Sequence, residues 1–200
     1  MIWELFCMLV SFFGLAIRVL TVGYTPHKTS GRNTKEQIAE TLNTTGIYSV
    51  VRHPLYLGNF FMWLGIALFA HTIWVTVIFI LAYWVYYERI MFAEEAFLRN
   101  KFGQAYASWT EKTPAFIPCF RNYAPSSLPF SVKTVLRREY NGLLAVIVVM
   151  FVFEMLGDWV VEHKVEVDVH WAVLLGSGCI LWGVLRFLKK RTRLLNVDGR

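Results

Sequence analysis

The sequence predicts an all-α, polytopic membrane helix bundle of about five transmembrane helices, with the N-terminus outside and the C-terminus in the cytoplasm. Composition is the first observation behind this reading: of 200 residues, 56% are hydrophobic and only 17% charged, with a mean hydropathy of +0.45. The second is that the apolar residues fall in runs, at 2–22, 55–70, 73–87, 143–161 and 171–188. The third is where the basic residues stand. Lys28, Arg32, Lys35 and Arg52 precede the second run; Arg89, Arg99, Lys101, Lys112, Arg121, Lys133, Arg137 and Arg138 separate the third from the fourth; Lys189, Lys190, Arg191, Arg193 and Arg200 follow the fifth. The remaining turns hold only Lys164. Cytoplasmic loops carry the excess of Lys and Arg, so all three groups belong inside, and an odd number of spans satisfies that.

The first, fourth and fifth runs approach the roughly 20 residues that cross the hydrocarbon core. The second and third are shorter and form a hairpin of two spans that borrow interfacial residues, with His71 in its outer turn. The first run is read as a retained span and not a cleaved leader, because it lacks a basic start and a small-residue cleavage site. Arg18 near its inner end is expected to snorkel to the interface. Residues 33–42 read as a short helix with Ile38 and Leu42 on one face. Residues 88–101 continue the third span into the cytoplasm as far as Gly103, which has a helix-capping role. Tyr106, Trp109, Phe116 and Phe120 are expected in a proline-broken loop at headgroup level. Residues 131–140 lead into the fourth span. The chain divides into a core over 1–125 and a basic linker with two further helices over 126–200.

The formal net charge of +6 is topological and faces lipid; it is not a nucleic-acid footprint. Cys7, Cys119 and Cys179 lie far apart, so neither a disulfide framework nor a zinc site is expected. Glu154, Asp158, Glu162 and Glu166 stand four apart, with His163 and His170 nearby. Like charges at that spacing repel on a helix, so an acidic outward loop is expected there in preference to a metal site.

The chemistry concentrates in GIYSVVRHPLYLG at 46–58, where polar, aromatic and backbone-constraining residues meet a membrane boundary. Charge at such a boundary is costly unless paired. Glu94 and Glu95 end the next apolar run, and a hairpin returns them to the same interface. One of the two, pointing about 100° from the other, can face a pocket there. Tyr48 and Tyr56 give that pocket aromatic surface, and Gly58 gives room for close backbone approach.

With EExxL at 94–98, FGxxY at 102–106 and PxFxP at 114–118, the ordered set resembles the isoprenylcysteine carboxyl methyltransferase superfamily, which includes membrane phospholipid methyltransferases. The resemblance runs over about 30–120. It implies S-adenosylmethionine as cofactor, bound at the cytoplasmic face, with Tyr48, His53, Pro54, Leu55, Tyr56, Gly58, Glu94 and Glu95 as its site. Asn33 and residues 40–43 occupy places of upstream cofactor contacts. Arg52, His53 and Arg89 are the catalytic candidates: the arginines for an anionic substrate head, His53 (or Glu95) as base for an amine. The family's substrate-holding Arg is replaced here by Ile90, and an upstream His by Glu40. The implied function is methylation of a carboxylate or phosphate on a lipid or lipidated cysteine. The alternatives are phospholipid N-methylation or a non-enzymatic membrane adaptor of the same fold.

Overall fold

The computed structural model describes residues 2–26, 39–164 and 167–197. Among the described residues, six α-helices and two short 3-10 turns follow in chain order: α1 Ile2–Tyr24, a turn at Ile47–Ser49, α2 Pro54–Phe69, α3 Ile73–Phe102, α4 Gln104–Lys112, a turn at Phe120–Asn122, α5 Val132–Glu162 and α6 Val169–Arg191. No strand is present among the described residues; one isolated bridge joins Gly46 to Ala124.

Four helices among the described residues, α1, α3, α5 and α6, are long and apolar enough to cross a membrane. The fifth apolar helix, α2, has 16 residues, about 24 Å, short of a full span on its own. It starts where Pro54 occupies the first helical position, where a missing N–H costs nothing. Only His71 and Thr72 separate Ala70, the cap of α2, from α3, and His71 takes a left-handed φ of 52° to make the turn. Gly103 ends α3 with a φ of 50°, the capping role expected of it. Ser131 caps α5, accepting from the Thr134 N–H at 3.3 Å.

Small residues set the closest packing. A Cβ on Gly14 would meet the Gly58 O and Met62 N at 2.4 Å, and one on Gly65 would lie 2.3 Å from the Cys7 O. The α1 and α2 backbones therefore approach as small residues allow in lipid-embedded bundles. Ser11 adds a hydrogen bond to the Met62 carbonyl at 2.8 Å. The main core joins Cys7, Met62, Ile66, Phe69, Val146, Met150 and Trp171, so α5 and α6 pack on the same interior as α1 and α2.

Four expectations are revised. Arg18 does not snorkel: its side chain is 11% exposed and paired with Glu139 inside the bundle, since a partner there removes the reason to reach water. Tyr106 and Trp109 lie on α4, and Tyr106 is buried with Ala39 and Leu98 in a small core under that helix. The acidic run stays helical as far as Glu162, apolar packing of α5 outweighing the repulsion of Glu154 and Asp158; Glu166 lies outside the described residues. Residues 39–42 are not helical, while 33–38 lie outside the described residues, as does Asn33.

Gly14→Ala should destabilise the protein by about 1–3 kcal/mol, the cost of forcing a packed interface apart. Gly176→Ala, where an added Cβ meets nothing within 4 Å, should melt close to wild type. Tryptophan-fluorescence melting in detergent compares the two.

Candidate active site

The site is built on the backbone of 46–53, and a second segment holds that backbone in place. Gly46, at φ 62°, donates its N–H to the Ala124 carbonyl at 2.8 Å. Ser49 accepts from the Ala124 N–H at 2.9 Å. Arg52 N–H donates to the Pro114 carbonyl at 2.9 Å, His53 N–H to that of Ala115 at 3.2 Å, and Cys119 N–H to that of Val50 at 3.0 Å. The Trp109 indole donates to the Tyr48 carbonyl at 3.0 Å. Pro114 and Pro118 keep 114–118 out of any helix, and the carbonyls of Pro114 and Ala115 receive the N–H groups of Arg52 and His53.

So braced, His53 caps α2 and turns its ring toward the C-terminal part of α3. Its Nε2 lies 2.9 Å from Glu95 Oε1 and its Nδ1 3.7 Å from Glu94 Oε2. Arg52 Nη2 reaches the same Glu95 oxygen at 3.3 Å. Tyr56, one turn into α2, donates to Glu94 Oε2 at 2.8 Å and stacks on His53 with centroids 5.5 Å apart. Glu94 is buried and Glu95 half-buried. The adjacent carboxylates thus grip one imidazole between them.

Burial alone would lower the His53 pKa, but the hydrogen bonds and charges of Glu94 and Glu95 outweigh it, and the pKa is raised above 6.5. Burial, with the charge of Glu94, pushes the Tyr48 phenol well up. Burial and the charge of Glu95 do the same to Tyr106. The Tyr106 hydroxyl and the Arg52 Nε are buried without a hydrogen-bond partner of good geometry among the described residues. Both belong to side chains beside Glu95.

The structure brings together Tyr48, Arg52, His53, Tyr56, Glu94 and Glu95. Pro54 is buried at the helix start and Leu55 is half-buried behind it. Gly58 has a different neighbour from the one expected: a Cβ there would lie 2.6 Å from the Arg18 Cγ and 2.8 Å from the Gly14 O, so its space is taken by α1. Arg89 does not join the cluster. It is exposed, in an open apolar groove with Ile78, Leu81, Ala82, Val85 and Tyr86 on the outer face of α3, about 140° around the helix from Glu94. Of the upstream stretch, Leu42 packs against the small core that holds Tyr106. Sequence reasoning missed Asn59, Tyr83 and Tyr87. A lone amide within an apolar run was the available signal for the first, and tyrosines four apart on one helix face for the others.

The profile of a family described as phospholipid methyltransferase matches residues 5–105. The chain belongs to that family. The match takes in α1 after its first three residues, α2, α3 and every member of the cluster. This family member is 36% identical to the protein-S-isoprenylcysteine O-methyltransferase of Schizosaccharomyces pombe over 93 residues, 46% of this chain and 38% of the relative. It is 36% identical to the cobalt-zinc-cadmium resistance protein CzcN of Cupriavidus metallidurans over 87 residues, 44% of this chain and 40% of that one. With the protein-S-isoprenylcysteine O-methyltransferase of Saccharomyces cerevisiae the identity is 34% over 85 residues, 42% and 36% of the two chains. The chain thus matches less than half the length of these curated relatives. No solved structure matches it.

Because the His53 pKa is raised, its charged-state contribution to folding is complete below its ordinary value of about 6.5 and disappears as pH rises through the raised value. The gap in melting temperature between wild type and His53→Gln should therefore be widest below about pH 6.5 and close on going alkaline. A pH series of thermal melts reads it directly.

Proposed function

We propose that the protein transfers a methyl group from S-adenosylmethionine to an amphiphilic acceptor at the cytoplasmic face of a membrane. The observation that carries this reading is the convergence of Arg52, His53, Tyr56, Glu94 and Glu95 at one end of the α2–α3 hairpin. Family membership supports it, and the names of the isoprenylcysteine relatives point the same way.

The donor set suits the cofactor. Two carboxylates complement its cationic amino and sulfonium groups, the buried Arg52 Nε and Tyr106 hydroxyl have no hydrogen-bond partner of good geometry among the described residues and polar groups of a ligand can provide one, and Tyr48 and Tyr56 offer ring faces that attract a cation. Glu94 and Tyr56 would hold the cationic part, Arg52 and Tyr106 the carboxylate end. When bound, S-adenosylmethionine supplies an activated methyl with its own leaving group. What remains for the protein is to align the acceptor close to ~3–3.5 Å from that methyl and to keep water out. A carboxylate or phosphate acceptor needs no base. Arg89, beside its apolar groove on the lipid side, would meet the anionic head of an acceptor arriving from the bilayer.

A second reading, phospholipid N-methylation, draws on the acidity of the site and on the family's description. An amine must lose a proton, and the half-buried Glu95 is the group here that can accept one.

Titrated calorimetrically with S-adenosylhomocysteine, the detergent-purified protein should bind, and Glu94→Ala should weaken binding at least tenfold, the loss of a buried charge-assisted contact. A folded wild type that binds nothing would move the adaptor reading to the front. The proposed orientation has its own test. In a chain freed of Cys7, Cys119 and Cys179, a cysteine at Thr72 should react with an impermeant maleimide from outside. One at Lys112 should react only after the membrane is opened; the reverse pattern would invert the topology.

A further inference from the structure

A second polar cluster lies about one turn farther along α2 from Tyr56. Arg18 of α1 donates through Nε to Glu139 Oε2 at 2.7 Å and through Nη2 to Glu139 Oε1 at 3.1 Å. Its Nη1 donates to Asn59 Oδ1 at 2.6 Å. The two side chains of the ion pair are only 11% and 4% exposed. A guanidinium can only donate, so it fixes which end of the Asn59 amide faces it. The Nδ2 end must then point away, and it donates to the Tyr87 hydroxyl at 3.2 Å.

From Tyr87 the links run back to the candidate site. Its ring stacks on Tyr83 with centroids 4.0 Å apart. The Tyr83 hydroxyl donates to the Tyr56 backbone carbonyl at 2.6 Å, and the Tyr56 hydroxyl is the donor to Glu94. The Arg18 stem, meanwhile, lies where a side chain on residue 58 would stand, so only glycine there lets it cross α2. A buried ion pair adds little net stability compared with apolar packing. What a bidentate pair does supply is a fixed direction for the remaining N–H groups. Glu139 comes from α5, outside the stretch that the family profile matches.

We propose that Arg18, held by Glu139, is a positioning residue for the cofactor site. It orients Asn59, Asn59 sets Tyr87, and the stacked pair Tyr87 and Tyr83 sets the Tyr56 that holds Glu94. The helix pair α5 and α6 is then part of the working unit through one side chain, beyond its share of the core. This inference rests on the cofactor reading given above.

The test uses the full chain in lipid nanodiscs, with S-adenosylhomocysteine titrated calorimetrically and melting followed by tryptophan fluorescence. Asn59→Ala leaves the two Arg18 bonds to Glu139 in place; Arg18→Lys keeps the charge and loses the fork. Each should weaken binding about tenfold while melting with wild type. Combined with Tyr56→Phe, each should lose no more than Tyr56→Phe loses alone, because all three act through one contact. Wild-type affinity in a folded Asn59→Ala overturns the proposal, and so do losses that multiply fully with that of Tyr56→Phe. A loss that merely follows a lowered melting temperature overturns it too, since that marks a structural role only. Should Arg18→Lys fail to fold, Asn59→Ala decides. Wild type that does not bind overturns the cofactor reading itself and this inference with it, whereas wild-type binding with unaffected variants removes this inference alone.

Discussion

Two carboxylates, adjacent in sequence, are withdrawn from water at the end of a hairpin, and much of the molecule exists to make that tolerable. Removing a carboxylate from water costs several kcal/mol unless positive charge and hydrogen bonds replace the solvent. Here the replacements come from the other arm of the hairpin: His53 between Glu94 and Glu95, Arg52 on Glu95, the Tyr56 hydroxyl on Glu94. Each partner is within two residues before the start of α2 or within its first turn. The start of α2 is therefore not free to move along the chain by even one residue. Pro54 fixes that start, and the turn at His71 fixes the other end.

The backbone that carries those partners is irregular, and irregular backbone needs its own hydrogen bonds. It finds them in the segment around 113–124, which has no helix of its own to satisfy except one short turn. That is why pieces of chain some sixty residues apart act as one motif: the PxFxP stretch supplies the carbonyls that a membrane boundary would otherwise have to supply as water. α4 completes the arrangement by placing Trp109 on the Tyr48 carbonyl and Tyr106 beside Glu95.

Much of this is legible in the amino-acid sequence. Runs of apolar residues located every long helix, Gly103 announced the end of α3, and a hairpin with Arg52 and His53 at one foot and Glu94 and Glu95 at the other implied their meeting. What was not legible was pairing that crosses the chain. Arg18 looked like a residue at the inner end of a span, because nothing within reach in sequence could neutralise it; its partner Glu139 is supplied by a helix that starts more than a hundred residues later. Gly58 read as space for a ligand, though the space belongs to Arg18 and Gly14. Tyr106 read as an interfacial aromatic, since periodicity over nine residues is too short to separate a helix such as α4 from a loop. Glu154 and Asp158 gave a sound local argument against helix that long-range apolar packing of α5 overrode. Local rules failed where a distant element decided the outcome.

The support of α3 has one more consequence. This 30-residue helix packs chiefly on α2 and α4 and turns Ile78, Leu81, Trp84 and Val85 outward. A helix held along one side settles its tilt against the thickness of the hydrocarbon around it, at a modest cost per ångström. Glu94 and Glu95 ride on that helix, while His53 and Arg52 ride on the stouter pair formed by α1 and α2. A bilayer around α3 would thereby form one wall of the site, and a change of lipid chain length would shift one half of the charge cluster relative to the other without any residue being altered.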